Sequence, residues 1–198
     1  MLILVRHGES TGNADGLLLG RIDAPLTARG LAQAQAIGPW LTGATRVISS
    51  PLARARATAA ALGTGLPVEI DDRWVEVDYG EFDGTPLESV PSEVWARWRS
   101  DPDFRPPGGE TLTEAGARVR AACEELFAVE GEGARGRGAV VVVSHVSPIK
   151  AATCWALGLG DQGAWRLYLA TGSVTRISWG ADGPVLNRFN ETPPSTAD

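Results

Sequence analysis

His7 and His145 are the only two histidines among 198 residues, and each stands just past an apolar run. Leu2-Ile3-Leu4-Val5 leads into Arg6-His7-Gly8-Glu9, and Ala139-Val140-Val141-Val142-Val143 leads into Ser144-His145. Short runs that are apolar throughout and rich in branched residues read as buried strands of a parallel sheet. Open α/β sheets bind ligands in the crevice at the carboxyl edge of their strands. Both imidazoles are therefore delivered to that edge, and Arg6 arrives with one of them. Other polar groups fall where the chain meets the same edge: Ser50-Pro51 with Arg54 and Arg56, Glu76 within 73–84, and Gly109-Glu110-Thr111.

The chemistry these types suit is phosphoryl transfer. A guanidinium is always charged and matches phosphate with two parallel hydrogen bonds, and Arg54 follows a short strand into a helix start, where free amides also favour an anion. An imidazole is a competent nucleophile near neutral pH when its other nitrogen donates to a backbone carbonyl, and Gly8 would allow the backbone to approach the His7 ring closely. Flanking arginines neutralise the oxygens of the transferring group. A carboxyl group must protonate the leaving oxygen and then activate water; Glu76 is the candidate, with Glu81 next and Asp78 and Asp83 nearby. Glu9 and Glu110 read as groups that orient arginines or cap turns, Arg56 as a salt-bridge or surface residue, and Arg21 as a loop arginine that either touches substrate or is solvated. Trp95 and Trp98 suit either the roof of a pocket or packing.

The elements that must position these groups can be read from periodicity and caps. Thr27 caps a helix over 28–37 that ends near 39–41. A strand over 46–49 leads into an alanine-rich helix over 51–62, with Pro51 in its first turn, which stops at Gly63 and Gly65. A short strand over 68–70 precedes an irregular stretch over 71–109 that contains a helix at 92–99, and so long an irregular stretch suits a region covering substrate. An amphipathic helix over 113–129, with Val119, Ala122, Leu126 and Val129 on one face, ends in a polar Gly-rich turn. After the strand over 139–143 comes a helix over 148–157, then a hairpin of 173–179 and 185–189 around Asp182-Gly183. The order of strands and helices predicts one α/β domain over 1–191, a three-layer αβα sandwich with a mostly parallel sheet, and a disordered tail over 192–198.

Composition excludes several classes. A net charge of −6 lacks the basic face of a nucleic-acid binder. No apolar stretch approaches the roughly 20 residues of a membrane helix. The chain starts directly in a strand without a secretion leader, which points to the cytoplasm. Cys123 and Cys154 lack metal-ligand spacing and read as buried thiols in a reducing compartment. Two histidines without a carboxylate at ligand spacing make a thin metal site, so no metal and no cofactor are expected. Lys150 is the only lysine, and the abundance of Arg, Ala and Gly fits high-GC codon usage.

The chain resembles the histidine phosphatase (phosphoglycerate mutase-like) superfamily. The resemblance is carried in order by Arg6-His7-Gly8-Glu9, Asn13, Gly20 with Asp23-Ala24-Pro25-Leu26-Thr27 and Gly30, and Ser49-Ser50-Pro51-Leu52-Ala53-Arg54-Ala55. It continues through Glu76-Val77-Asp78-Tyr79-Gly80-Glu81-Phe82-Asp83-Gly84, Pro107-Gly108-Gly109-Glu110-Thr111 and Val143-Ser144-His145. The resemblance implies that His7 is phosphorylated, that Arg6, Arg54 and His145 hold the phosphoryl group with Asn13 as a further contact, and that Glu76 donates the proton, with no metal. It also implies that Gly172-Ser173 lines the phosphate pocket through its backbone.

The family commonly has glycine after the second histidine, whereas here Val146-Ser147-Pro148-Ile149-Lys150 follows. That string is similar to α-ribazole phosphatase-like and actinobacterial acid phosphatase domains, some fused to ribonuclease H, of which no region is read here. The longer insertions of cofactor-dependent phosphoglycerate mutases are missing between Arg73 and Gly109. The expectation is a metal-independent phosphomonoesterase acting on a small phosphorylated metabolite, such as α-ribazole phosphate or the substrates of a broad acid phosphatase. A phosphoglycerate mutase and a catalytically inactive phosphate-binding scaffold are the alternatives. Oligomeric state is open, with a homodimer allowed.

Overall fold

A computed structural model of the chain describes residues 1–131 and 138–194. In chain order the elements are β1 (Leu2–Arg6), a one-turn helix α1 (Thr11–Ala14), α2 (Ala28–Ile37), β2 (Ala44–Ser49), α3 (Ala53–Ala61) and β3 (Val68–Ile70). Short 3-10 turns then lead to α4 (Ser92–Ser100) and the long α5 (Leu112–Gly131). β4 (Ala139–Ser144), α6 (Val146–Ala156), β5 (Val174–Gly180) and β6 (Gly183–Glu191) follow. The sheet order is β3-β2-β4-β1-β5-β6. β3, β2, β4 and β1 are mutually parallel, and the β5–β6 hairpin adds to β1 with β5 antiparallel.

This is the expected three-layer αβα sandwich, and alternation along the central strands explains it. Leu2 and Leu4 of β1 pack on one face with Val119, Ala122 and Leu126 of α5 and Ile149 of α6. Ile3 and Val5 pack on the other with Ile37 of α2, Val47 of β2 and Ala55 and Ala59 of α3. Because successive side chains point to opposite faces, a run without polar residues requires a helical layer on both sides. The side chain of Val129, assigned to the same apolar face of α5, lies outside the description. So do the Gly-rich turn after α5 and residues 195–198 of the tail, while 192–194 carry no regular element. Among the described residues no helix is long and apolar enough to cross a membrane.

Two helix starts differ by two residues from the expected ones, and α5 starts one residue early, at Leu112. α6 begins at Val146 rather than Pro148, with His145 as its N-cap. Proline is tolerated there because its missing N–H belongs to the first turn, where that donor has no helical acceptor. α3 begins at Ala53, so Pro51 precedes the helix, and the Ala53 amide donates to Asp23 Oδ1 at 2.8 Å. α1 was not anticipated: Ser10 and Asn13 cap each other reciprocally and close a single turn. The stretch over 71–109 is an ordered cover rather than a loose loop. It encloses a third apolar cluster in which Leu18, Val90 and Trp98 are buried against Tyr79, Phe82, Trp95, Phe104 and Trp165.

Gly8 brings its carbonyl to the His7 ring as expected, and it serves a second purpose as well. A Cβ on Gly8 would overlap the Gly30 carbonyl, and a Cβ on Gly30 would overlap the backbone of Glu9. The missing side chains let the end of β1 lie directly on the first turn of α2, which fixes the loop carrying His7. Gly30→Ala should therefore destabilise the fold by about 1–3 kcal/mol through overpacking, against the gain that helix propensity alone predicts. Urea unfolding decides it: a neutral or stabilising alanine would contradict this packing.

Candidate active site

β1 and β4 are hydrogen-bonded neighbours, and their register places Arg6 opposite Ser144. One residue further, the His7 and His145 rings meet with centroids 5.0 Å apart and planes inclined by 59°. The helix after β1 packs on one face of the sheet and the helix after β4 on the other, so the crevice of an open α/β sheet opens between the two histidines.

The loop that carries His7 is tied down at every residue. The His7 amide donates to Ser144 O, and the Gly172 amide donates to His7 O. Gly8 N–H donates to Thr58 Oγ1 of α3, and Glu9 N–H to Gln33 Oε1 of α2. The His7 ring is oriented by Nδ1, which lies 2.7 Å from Gly8 O. A carbonyl only accepts, so Nδ1 carries the hydrogen and Nε2 keeps its lone pair. His145 Nε2 lies 2.7 Å from Ser50 Oγ. With the Ser50 hydroxyl donating there, the His145 hydrogen sits on Nδ1.

Arg54 is 1% exposed and the largest buried cation. Its two terminal nitrogens donate to Gly20 O and Ile22 O at 2.7 and 2.8 Å. That loop is held in turn by Asp83, whose carboxylate accepts the amides of Gly20, Arg21 and Ile22. Arg6 Nη1 donates to Leu169 O at 2.6 Å. Six buried polar side-chain atoms lack a partner among the described residues, and four belong here: Arg6 Nε, Arg54 Nε, His145 Nδ1 and Ser173 Oγ. Buried donors without acceptors are costly, and such a concentration of them suits an anion rich in acceptor oxygens.

Glu76 is 3% exposed and sits at the N-terminus of α6. Its Oε1 accepts from the amides of Val77 and Ser147 at 2.8 and 3.2 Å, while Oε2 has only a 3.4 Å contact with the Ser147 amide. Oε2 is thus the less engaged of the two carboxylate oxygens. Arg118 supports this segment from α5: it forks onto Glu110 at 2.8 and 3.0 Å and donates to Arg73 O at 2.6 Å. Burial, then the Arg6 and Arg54 charges, hold the His7 imidazole well below the usual histidine range. Burial and then the His7 and Arg54 charges do the same to His145. Burial lowers both guanidiniums as well, opposed chiefly by Glu76.

Arg6, His7, Arg54, Glu76, His145 and Ser173 are thus all buried or half-buried around one crevice. The remaining candidates are placed less directly. Asn13 Oδ1 accepts from the amide and hydroxyl of Ser10, which leaves its NH2 end as the donor it can offer. Gly172, at φ 64°, spends its amide on His7 O, so it acts on the imidazole loop rather than presenting that amide to a ligand. Arg21 is 45% exposed and pairs with Asp78 and Glu110 at 3.5 and 3.4 Å. Glu81 is exposed in a 3-10 turn, and Arg56 is exposed on α3. Glu9 holds Thr27 and Arg29. Sequence reasoning missed Thr58, Gln33 and Arg118 and the structural work of Ser50. Only Ser50 carried a signal, its place at a strand end.

The family model of the histidine phosphatase superfamily (branch 1) matches residues 2–192, and the chain belongs to that superfamily. It is 36% identical over 200 residues to the "Bifunctional protein Rv2228c" of Mycobacterium tuberculosis, a match covering 96% of this chain and 54% of that protein. The chain therefore spans about half the length of that relative. It is 34% identical to the "Probable phosphoglycerate mutase GpmB" of Salmonella paratyphi C, over 92% of this chain and 89% of the relative. Among solved structures, the mycobacterial glucosyl-3-phosphoglycerate phosphatase Rv2419c in complex with VO3 superposes with a TM-score of 0.86 at 30% identity, covering 96% and 99% of the two chains. The α-ribazole phosphatase of Shigella flexneri superposes at 0.82 and 26% identity, covering 96% of each chain.

Two imidazoles held neutral make stability depend on pH. The unfolded chain binds protons near pH 6.5 and the folded chain does not, so stability is full above about pH 6.5 and erodes as pH falls toward the depressed folded values. Each imidazole contributes up to about 1.4 kcal/mol per pH unit in that window. Urea unfolding of His145→Asn between pH 7 and 5 should show a shallower loss than the natural chain. An unchanged slope would contradict the neutral assignment.

Proposed function

We propose that this chain is a metal-independent phosphomonoesterase that works through a phosphohistidine on His7. The observation that carries the reading is the His7 Nδ1 contact with Gly8 O, which turns an unprotonated Nε2 toward a cage of buried donors. His7 Nε2 attacks phosphorus and the ester P–O bond breaks, with Glu76 Oε2 giving its proton to the departing alkoxide. Arg6, Arg54, His145 and Asn13 take up charge on the phosphoryl oxygens, and Arg21 sits at the rim within reach of the alcohol. Water then attacks the phosphorus of phosphohistidine, Glu76 takes its proton, and phosphate leaves. No step calls on a metal or an organic cofactor.

Hydrolysis is favoured over mutase chemistry because a mutase must keep water from the phosphohistidine while its substrate reorients, and the cover over 71–109 is short. The phosphatase neighbours support the same reading, and the mutase relative keeps the alternative testable. With 3-phosphoglycerate, free phosphate should be released faster than phosphoryl groups exchange between the 2- and 3-positions. Faster exchange would make the chain a mutase.

His7→Ala should lower kcat by at least about 10⁴-fold with the fold intact. Glu76→Gln should cost about 10²–10⁴-fold on an alkyl phosphate and much less on 4-nitrophenyl phosphate, whose leaving group needs no proton. Steady-state rates in excess chelator check both. Full activity of the His7 variant, as for an inert scaffold's contaminating phosphatase, or equal Glu76 effects on the two esters, would defeat the mechanism.

A further inference from the structure

Beside the crevice lies a second hollow of about 100 Å³, between the start of α6 and the aromatic cover. It begins at Val146 and Ser147, directly after His145 and at the amide that holds Glu76. Its far walls are indoles: Trp95 and Trp98 meet at 5.4 Å between centroids, and Trp95 and Trp165 at 6.2 Å edge-on. Most of the lining is apolar, and its polar groups are unequal. Tyr79 and Ser147 face each other at 3.3 Å, and Asp161 is taken by Arg120 at 2.6 Å. The Lys150 ammonium makes no hydrogen bond or ion pair among the described residues, and the buried Trp165 Nε1 has no acceptor. Both uncommitted groups are N–H donors. Lys150 is half-buried, and burial pushes its ammonium below the ordinary lysine range, opposed by Glu76.

A half-buried ammonium and an unpaired indole donor in an aromatic hollow suit a flat apolar group that carries an acceptor. The spacing supplies a ruler. Lys150 lies three residues beyond Ser147 on the same helix, so its Cα stands roughly 5 Å, about one turn, further along α6 from the amide that holds Glu76. We propose that this hollow seats the alcohol half of the phosphomonoester, and that Lys150 selects planar alcohols bearing a carboxylate about one helical turn beyond the ester oxygen. The proposal rests on the phosphatase reading for its turnover and on the hollow alone for its binding.

The test compares phenyl phosphate with 4-carboxyphenyl phosphate, using the full chain and its Lys150→Met and Lys150→Arg variants. Benzylphosphonate and 4-carboxybenzylphosphonate, which cannot be hydrolysed, give the binding arm by calorimetry. The natural chain should prefer the carboxylated member of each pair by about tenfold, Lys150→Met should abolish the preference, and Lys150→Arg should keep most of it. A preference unchanged in Lys150→Met, or an equal loss on both members, would overturn the proposal. No turnover of either ester together with a Lys150-dependent binding preference would refute the phosphatase reading and leave the subsite standing.

Discussion

The hydrogen bond from His7 Nδ1 to the carbonyl of Gly8 is a contact between adjacent residues, yet it depends on most of the molecule. Gly8 can turn its carbonyl to the ring only because its own amide is held by Thr58 and its Cα lies against Gly30. Thr58 and Gly30 belong to α3 and α2, which pack on the same face of the sheet. The second histidine comes from the opposite side of the crevice, where α6 leaves β4. Strand pairing sets the distance between the rings, and helix packing holds the Gly8 carbonyl that sets the His7 tautomer.

Four unpaired donors inside a buried crevice are a standing cost to the fold. Buried guanidiniums add to it, and the protein offsets part of the charge with Glu76, Asp23 and Asp83 rather than with a direct ion pair. Arg54 instead leans on backbone carbonyls of the loop that Asp83 organises. A carboxylate placed directly on Arg54 would stabilise the empty protein and compete with an incoming anion. Sites that keep donors uncommitted are where local rules of stability are expected to fail.

The two strand-end histidines were legible because apolar runs of that length announce a buried strand, and a strand's end is a position in space. Arg54 was legible for a similar reason, one turn past a third strand. Thr58 and Gln33 were not, since a buried threonine and a half-exposed glutamine on helices look alike whether or not they hold a catalytic loop. Gly8 was legible as the backbone that meets the His7 ring, but its other neighbour is Gly30, 22 positions away in sequence, and nothing local records that approach. The start of α6 was misplaced because Pro148 was taken for a first residue when it stands third. That shift matters, since it turns the Ser147 amide into a donor for Glu76 and the Val146–Lys150 face toward the aromatic hollow.

The central claim is that a phosphoryl group is carried covalently by His7 through Nε2. Rapid quenching of turnover with a ³²P-labelled ester into base, followed by peptide mapping, tests it directly. The account predicts base-stable, acid-labile label on the peptide containing His7, formed and lost at rates that match turnover. Label on another residue, or phosphate release at full rate with no label on His7, would contradict it.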